Sequence, residues 1–214
     1  MERQLEQYLL KKLPSVEEWV VEIEEQAMAN NIPIMDKISM NFLMQLVSIS
    51  KPQRILEIGT AIGYSSLRML EAYSNTTIIT IEKDQFRFRQ AVNNINRLQK
   101  QTSIKPIYGD ARDEMSKFIQ KNEKFDFIFI DAAKGEYQQY FELARSLLTD
   151  DGLILSDNIL FRGYVAGVKE PLQKYKKVTE KIRAYNDWLV NVPDFTTTLV
   201  PIGDGLAISK KVSR

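Results

Sequence analysis

Five places in this 214-residue chain share one local pattern: a short apolar run followed at once by an acid, a glycine or an amide. They are Glu57 with Gly59, Glu82, Gly109-Asp110-Ala111, Asp131 with Lys134, and Asp157-Asn158. The chain has no histidine and no cysteine. Ser-His-Asp chemistry, an imidazole base, thiolate nucleophiles, disulfides and zinc sites built on His or Cys are therefore excluded. A general base must be a carboxylate, a lysine, a tyrosine or water, and a metal must be one that prefers oxygen, such as Mg²⁺.

The first place is the most informative. Glu57-Ile58-Gly59-Thr60-Ala61-Ile62-Gly63-Tyr64-Ser65 follows the apolar Arg54-Ile55-Leu56 and opens into a helical pattern. A strand, a glycine turn and a helix start let backbone N–H groups approach a ligand closely. A dinucleotide site wants G-x-G-x-x-G, whereas these glycines are spaced G-x-x-x-G with Ala61 between them. Glu57 would repel a pyrophosphate but suits a ligand carrying an ammonium group, as S-adenosylmethionine does. Glu82 lies about twenty residues past the turn, where an acid hydrogen-bonds a ribose diol; it also reads as the approach to a capped helix. Asp110 reads equally as a site residue or as the N-cap of the following helix. Asp131, Asp157 and Asn158 could be turn residues, but their place after successive strands points instead to three oxygens converging on one Mg²⁺. Lys134 is either a solvated loop lysine or, beside a metal and a bound cofactor, a base.

The elements that must carry these residues follow from periodicity. Residues 1–50 read as three helices, with Leu5, Leu9 and Leu10, then Val16, Trp19, Val20, Ile23 and Ala27, then Met40, Leu43, Met44 and Val47 at helical spacing. Beyond Lys51-Pro52, short apolar strands at 54–58, 77–81, 104–108, 126–130 and 153–156 alternate with helices at 64–73, 84–100, 111–120, 136–148 and 171–190. That alternation implies a parallel sheet covered on both faces. Two last strands, 196–200 and 206–210, close on each other as an antiparallel hairpin at the sheet edge. In such a sheet ligands sit outside the carboxyl ends of the strands, where the five acidic and amide places fall. The length fits one domain, 1–214, with 1–50 a helical lid or dimer segment and 51–214 the α/β core.

Net charge is +1, so any surface for nucleic acid or membrane must be local. Residues 169–183 supply one: Lys169, Lys174, Lys176, Lys177, Lys181 and Arg183 stand against Glu170 and Glu180, an excess of four positive charges. The strip reads as a solvated helix face or as a phosphate-backbone surface, with Phe161, Tyr164 or Trp188 available to stack on a base. No stretch approaches the length of a membrane span and no leader pattern opens the chain, so the expected location is the cytoplasm.

Together with Ile81-Glu82, Gly109-Asp110-Ala111, Phe129-Ile130-Asp131-Ala132-Ala133-Lys134 and Ser156-Asp157-Asn158, the glycine turn resembles the catechol/caffeoyl-CoA type of class I S-adenosylmethionine-dependent O-methyltransferase. Within that family the chain resembles the bacterial tRNA 5-hydroxyuridine methyltransferases, including at Ile32-Pro33-Ile34-Met35 and along the tail from Pro201 to Lys211. The resemblance implies a Rossmann-like fold with a seven-stranded, mostly parallel sheet and extra N-terminal helices. It implies a cofactor pocket lined by Met35, Glu57, Gly59, Ser65, Glu82, Gly109, Asp110, Ala111 and Asp131. Asp131, Asp157 and Asn158 would hold Mg²⁺, Lys134 would be the base, and the protein would form a homodimer. The implied reaction converts 5-hydroxyuridine at the wobble position of the tRNA anticodon to 5-methoxyuridine. The alternative acceptor is a catechol-like small molecule, because both present two adjacent oxygens to a metal.

Overall fold

The computed structural model describes residues 3–212. They form two compact units, one running through Ala111 and the other from Arg112 onward.

The first unit opens with α1 (Arg3–Leu10), α2 (Glu18–Ala29) and α3 (Lys37–Ser50). Helix α2 buries Val20, Ile23 and Ala27, a spacing of three and four residues that puts them on one face. Helix α3 starts where Asp36 Oδ1 accepts the N–H groups of Ile38 and Ser39, each at 3.0 Å, satisfying two of the donors a helix start leaves unpaired. It ends at Lys51, whose left-handed backbone (φ 47°) and the Pro52 behind it stop further turns. Then follow β1 (Arg54–Ile58), α4 (Tyr64–Ala72), β2 (Thr77–Glu82), α5 (Gln85–Arg97) and β3 (Ile104–Tyr108). Strands β1 and β2 run parallel with Glu57 opposite Thr80, and β2 pairs parallel with β3. Pro106, which cannot donate to a ladder, sits in β3 at the end of the strand order, where a missing donor is tolerated.

The second unit holds most of α6 (Ala111–Gln120), then β4 (Phe125–Ile130), α7 (Tyr137–Leu147), β5 (Leu148–Ser156), α8 (Lys176–Leu189), β6 (Phe195–Val200) and β7 (Leu206–Lys211). Strands β4 and β5 are parallel, while β7 runs antiparallel to both β5 and β6. Phe125, Phe127, Ile128, Phe129 and Ile130 of β4 are all fully buried, the continuous apolar run of a strand covered on both faces. The strand order is β3-β2-β1-β4-β5-β7-β6, a seven-stranded mixed sheet of Rossmann-like methyltransferase type.

Two boundaries lie five residues from those the spacing predicts, and the others within about three. Strand β5 starts at Leu148 instead of Leu153: its register on β4 jumps between the Phe125–Leu148 and Phe127–Leu153 pairs, so Asp150-Asp151-Gly152 is an irregularity within the strand. A Cβ on Gly152 would lie 2.4 Å from Leu148 Cγ, which explains the glycine there. Helix α8 starts at Lys176, not at residue 171. Leu172 is exposed with extended backbone and Gln173–Tyr175 form a 3₁₀ turn, because the buried face of the helix begins only at Thr179 and Ile182.

Candidate active site

In the first unit the glycine turn is built by backbone geometry and closed by two carboxylates. Gly59 (φ 104°), Ala61 (φ 47°) and Gly63 (φ 86°) all take positive φ, which favours glycine at the two outer positions. The N–H groups of Gly59 and Thr60 donate to Ile81 O at 3.0 and 3.2 Å, tying the turn to the end of β2. Glu82 completes the closure: its Oε2 accepts the Ala61 N–H at 2.8 Å and its Oε1 the Asp84 N–H at 2.8 Å. Behind the turn, Asn94 on α5 donates to Ile62 O at 3.0 Å.

Glu57 is wholly buried. Its Oε1 accepts the hydroxyl of Ser65, and its Oε2 accepts the hydroxyls of Ser66 and, at 2.6 Å, Thr80. Three hydroxyl donors compensate a carboxylate that would otherwise be costly to bury. Thr80 also shares a 2.6 Å hydrogen bond with Thr60, so β2, the turn and the first turn of α4 meet at one acid. Gly109 donates its N–H to Glu82 O at 3.0 Å, bringing the end of β3 to the same carboxyl end. Asp110 is half-buried and Ala111, the first residue of α6, is buried. Met35 is buried just ahead of the Asp36 cap of α3.

In the second unit the parallel strands β4 and β5 end side by side, with Ile130 opposite Ser156 and Asp157 N–H donating to Ile130 O at 3.0 Å. Asp131 and Asp157 thus follow neighbouring strands. Asp157 is buried, Asp131 and Asn158 half-buried. Asn158 has left-handed backbone (φ 59°) and donates its N–H to Asp157 Oδ1 at 2.6 Å. The Nζ of Lys134 donates to Asn158 Oδ1 and lies 5.6 Å from the centre of the Phe161 ring. Lys134, Asp157 and Asn158, singled out by spacing, are therefore gathered here.

The supports of this half were not singled out by sequence. Ser156 Oγ and Tyr185 OH share a 2.8 Å hydrogen bond, and Asn186 donates to Ile159 O at 2.8 Å, so α8 holds the chain on both sides of Asp157-Asn158. The loop between β6 and β7 clasps the next residues: Gly205 O and Asp204 O accept from Ile159 and Leu160 N–H at 3.0 and 2.8 Å, and Asp204 Oδ1 accepts the Arg162 N–H at 3.0 Å. The Gly203-Asp204-Gly205 turn was the available signal. Tyr137, the first residue of α7, is buried among these groups. Its burial raises its pKa well above the ordinary phenol value, and the charges of Asp131 and Asp157 raise it further.

Among the described residues, no three His, Cys, Asp or Glu side chains gather to hold a metal. The oxygen set here is two carboxylates and an amide. That hard-oxygen composition suits Mg²⁺, which takes few protein ligands and leaves room for water and substrate oxygens.

The O-methyltransferase family profile matches residues 13–212. A catechol O-methyltransferase from Niastella koreensis is 35% identical over 126 residues, covering 58% of this chain and 57% of that protein. Among solved structures, a Staphylococcus aureus protein assigned to the caffeoyl-CoA O-methyltransferases is 31% identical over 98% of both chains, with a TM-score of 0.85. An O-methyltransferase from Bacillus cereus, solved in complex with S-adenosylhomocysteine, is 26% identical over 98% of this chain and 97% of its own, with a TM-score of 0.84. The chain belongs to the O-methyltransferase family, and its likeness is to the S-adenosylmethionine-dependent, class I members of caffeoyl-CoA and catechol type.

Proposed function

We propose that the protein methylates a hydroxyl flanked by a second oxygen, in a catechol-like small molecule, with S-adenosylmethionine as methyl donor and Lys134 as base. The observation that carries this reading is the hydrogen bond from Lys134 Nζ to Asn158 Oδ1, next to the buried Asp157. The catechol O-methyltransferase of Niastella koreensis supports the choice of acceptor.

In the first unit, Gly59 and Ser65 form the turn that receives the cofactor, with Met35 covering it and Gly109, Asp110 and Ala111 lining its far side. Glu82 keeps acceptor capacity beyond its two N–H partners, enough for the hydroxyls of a ribose. Glu57 supplies negative charge through the Ser65 and Ser66 hydroxyls that its carboxylate orients. In the second unit, Asp131, Asp157 and Asn158 would hold Mg²⁺. Bound there, the ion would make an acceptor hydroxyl it ligates more acidic. Lys134 takes the hydroxyl proton as the oxygen bonds to the methyl carbon and the carbon–sulfur bond breaks in line. Orientation of the acceptor is the protein's main contribution.

A second reading, the wobble 5-hydroxyuridine of tRNA, is favoured by a separate observation. After Asn158 the chain carries stacked rings bordered by cations: Arg162 lies 5.3 Å and Lys174 4.9 Å from the Tyr175 ring, and Lys169 lies 5.5 Å from that of Tyr164. A cavity of about 320 Å³ beside them is lined by Tyr164, Lys169, Lys176 and Arg183 along with Glu170 and Glu180. Arginine and lysine beside a buried Tyr164 and a half-buried Tyr175 suit a phosphate backbone. A homodimer is compatible with either reading, with the exposed Leu5 and Tyr8 of α1 as its candidate surface.

The deciding experiment offers methyl-labelled S-adenosylmethionine with a catechol and, separately, with tRNA containing 5-hydroxyuridine, each with Mg²⁺ or EDTA. Label in the catechol alone establishes the first reading. Label in tRNA as 5-methoxyuridine establishes the second. Label in neither removes both.

A further inference from the structure

Three tyrosines are buried around the second half of the site, and two have partners for their hydroxyls. Tyr185 shares a hydrogen bond with Ser156 at 2.8 Å, and Tyr140 donates to Glu136 Oε2 at 2.7 Å. Tyr137 is as deeply buried, 1% exposed, yet its hydroxyl has no hydrogen-bond partner. Its ring is fixed edge-on against Tyr185 with centroids 5.5 Å apart, so the hydroxyl cannot swing out to solvent. Asp131 and Asp157 both lie near enough for their charges to act on it. A buried hydroxyl left unpaired is destabilising, and phenylalanine would fill the same space without that cost. A tyrosine retained there implies a partner that arrives with a ligand.

We propose that Tyr137 is a positioning residue for the Asp131 and Asp157 oxygens: its hydroxyl donates to a water or oxygen held by those carboxylates once a divalent cation is bound. This rests on the reading that Asp131, Asp157 and Asn158 take such an ion. A donor of this kind orients the ligating oxygens and holds the coordinated water, as outer hydrogen-bond partners do around metals. The two tyrosines then divide the work. Tyr185 fixes the backbone at Ser156 whether or not the site is filled, and Tyr137 acts only when it is.

The test is Tyr137→Phe in the full chain, stripped with EDTA and titrated with Mn²⁺ followed by electron paramagnetic resonance, with Mg²⁺ calorimetry alongside. In EDTA the variant should melt at or above the wild-type temperature, because it loses no bond. Its Mn²⁺ and Mg²⁺ affinities should fall about tenfold, the lower end of what losing an outer partner does. Tyr185→Phe is the contrast: it should melt lower even in EDTA, having lost the Ser156 bond. A lower melting temperature for Tyr137→Phe in EDTA would overturn the proposal, since the hydroxyl would then have a protein partner. Unchanged ion affinity would overturn it as well, leaving the ion site intact. If wild-type protein binds neither ion, the ion site fails and this role fails with it.

Discussion

The Nζ of Lys134 donates a hydrogen bond to Oδ1 of Asn158, joining residues 24 apart that follow the parallel strands β4 and β5. Asn158 is one of the few residue types that accept left-handed backbone without a glycine, and its N–H is held by Asp157. The contact holds the Lys134 nitrogen against an amide oxygen, next in sequence to the buried Asp157, in the place a base for the acceptor hydroxyl would need. Lys134→Met should therefore lower kcat for O-methylation by about 10²- to 10⁴-fold, the usual worth of a positioned base. Affinity for S-adenosylmethionine should stay unchanged, because Lys134 is not among the residues assigned to the cofactor. Label transfer and calorimetry, run side by side, separate the two effects.

Glu57 tests whether the glycine turn depends on one buried acid. Its carboxylate accepts from Ser65, Ser66 and Thr80, so Glu57→Gln puts an amide N–H₂ against hydroxyls that had been donating. Re-orienting the hydroxyls cannot satisfy all three, and an unpaired buried donor costs about 1–3 kcal/mol. The urea midpoint should fall accordingly with the m-value unchanged. Affinity for S-adenosylmethionine should fall with it, since Ser65 loses the acceptor that orients it. Unaltered stability would mean that the acid is not the anchor of the turn.

Much of the scaffold was legible in the sequence, and the reasons are local. Strand–helix alternation marked β1 to β4 nearly to the residue, because fully buried strands are continuous apolar runs. The acids and amides at the strand ends stood out for the same reason: they break those runs. Partners contributed from elsewhere were not legible. Ser66 and Thr80 looked like ordinary helix and strand residues, and only folding brings both to Glu57. Tyr137 and Tyr185 fit the apolar face of their helices, and nothing in that spacing tells a hydroxyl with a partner from one without. The start of α8 was misplaced because helical spacing continues through Leu172, whereas the core that would cover Leu172 does not.

Gly205 has a sharper requirement than most glycines here. Its φ is +87°, and a Cβ would lie 2.5 Å from Leu160 Cγ and 2.9 Å from the Leu160 backbone nitrogen. Gly205→Ala must move the segment its carbonyl holds through Ile159 N–H, the segment that directly follows Asn158. Strained backbone of this kind costs about 1–3 kcal/mol. The melting temperature should drop, and the loss of turnover should exceed what unfolding at the assay temperature explains, because Asn158 loses its support. Gly167→Ala is the control: it has a similar φ of +72° but open space around it, so its stability loss should be smaller and its turnover intact.

Alkaline titration gives a test that needs no ligand. Tyr64, Tyr137 and Tyr185 all have their pKa raised above the ordinary phenol value of about 10, in each case chiefly by burial. For Tyr64, the neighbouring Glu24 carboxylate adds to the shift, and for Tyr137, Asp131 and Asp157 do so. The folded protein therefore binds these protons more tightly than the unfolded chain. Their contribution to stability is fully present below pH 10 and is lost as pH rises from there toward the folded-state values. Tyrosinate absorbance should accordingly include a second, late stage that belongs to these three rings. The three buried phenols should ionise only in the second stage, together with the loss of helical circular dichroism, since no folded route exposes them. Tyr137→Phe should reduce the amplitude of the second stage alone, while single-stage ionisation of all tyrosines with the fold intact would show that these rings are not enclosed.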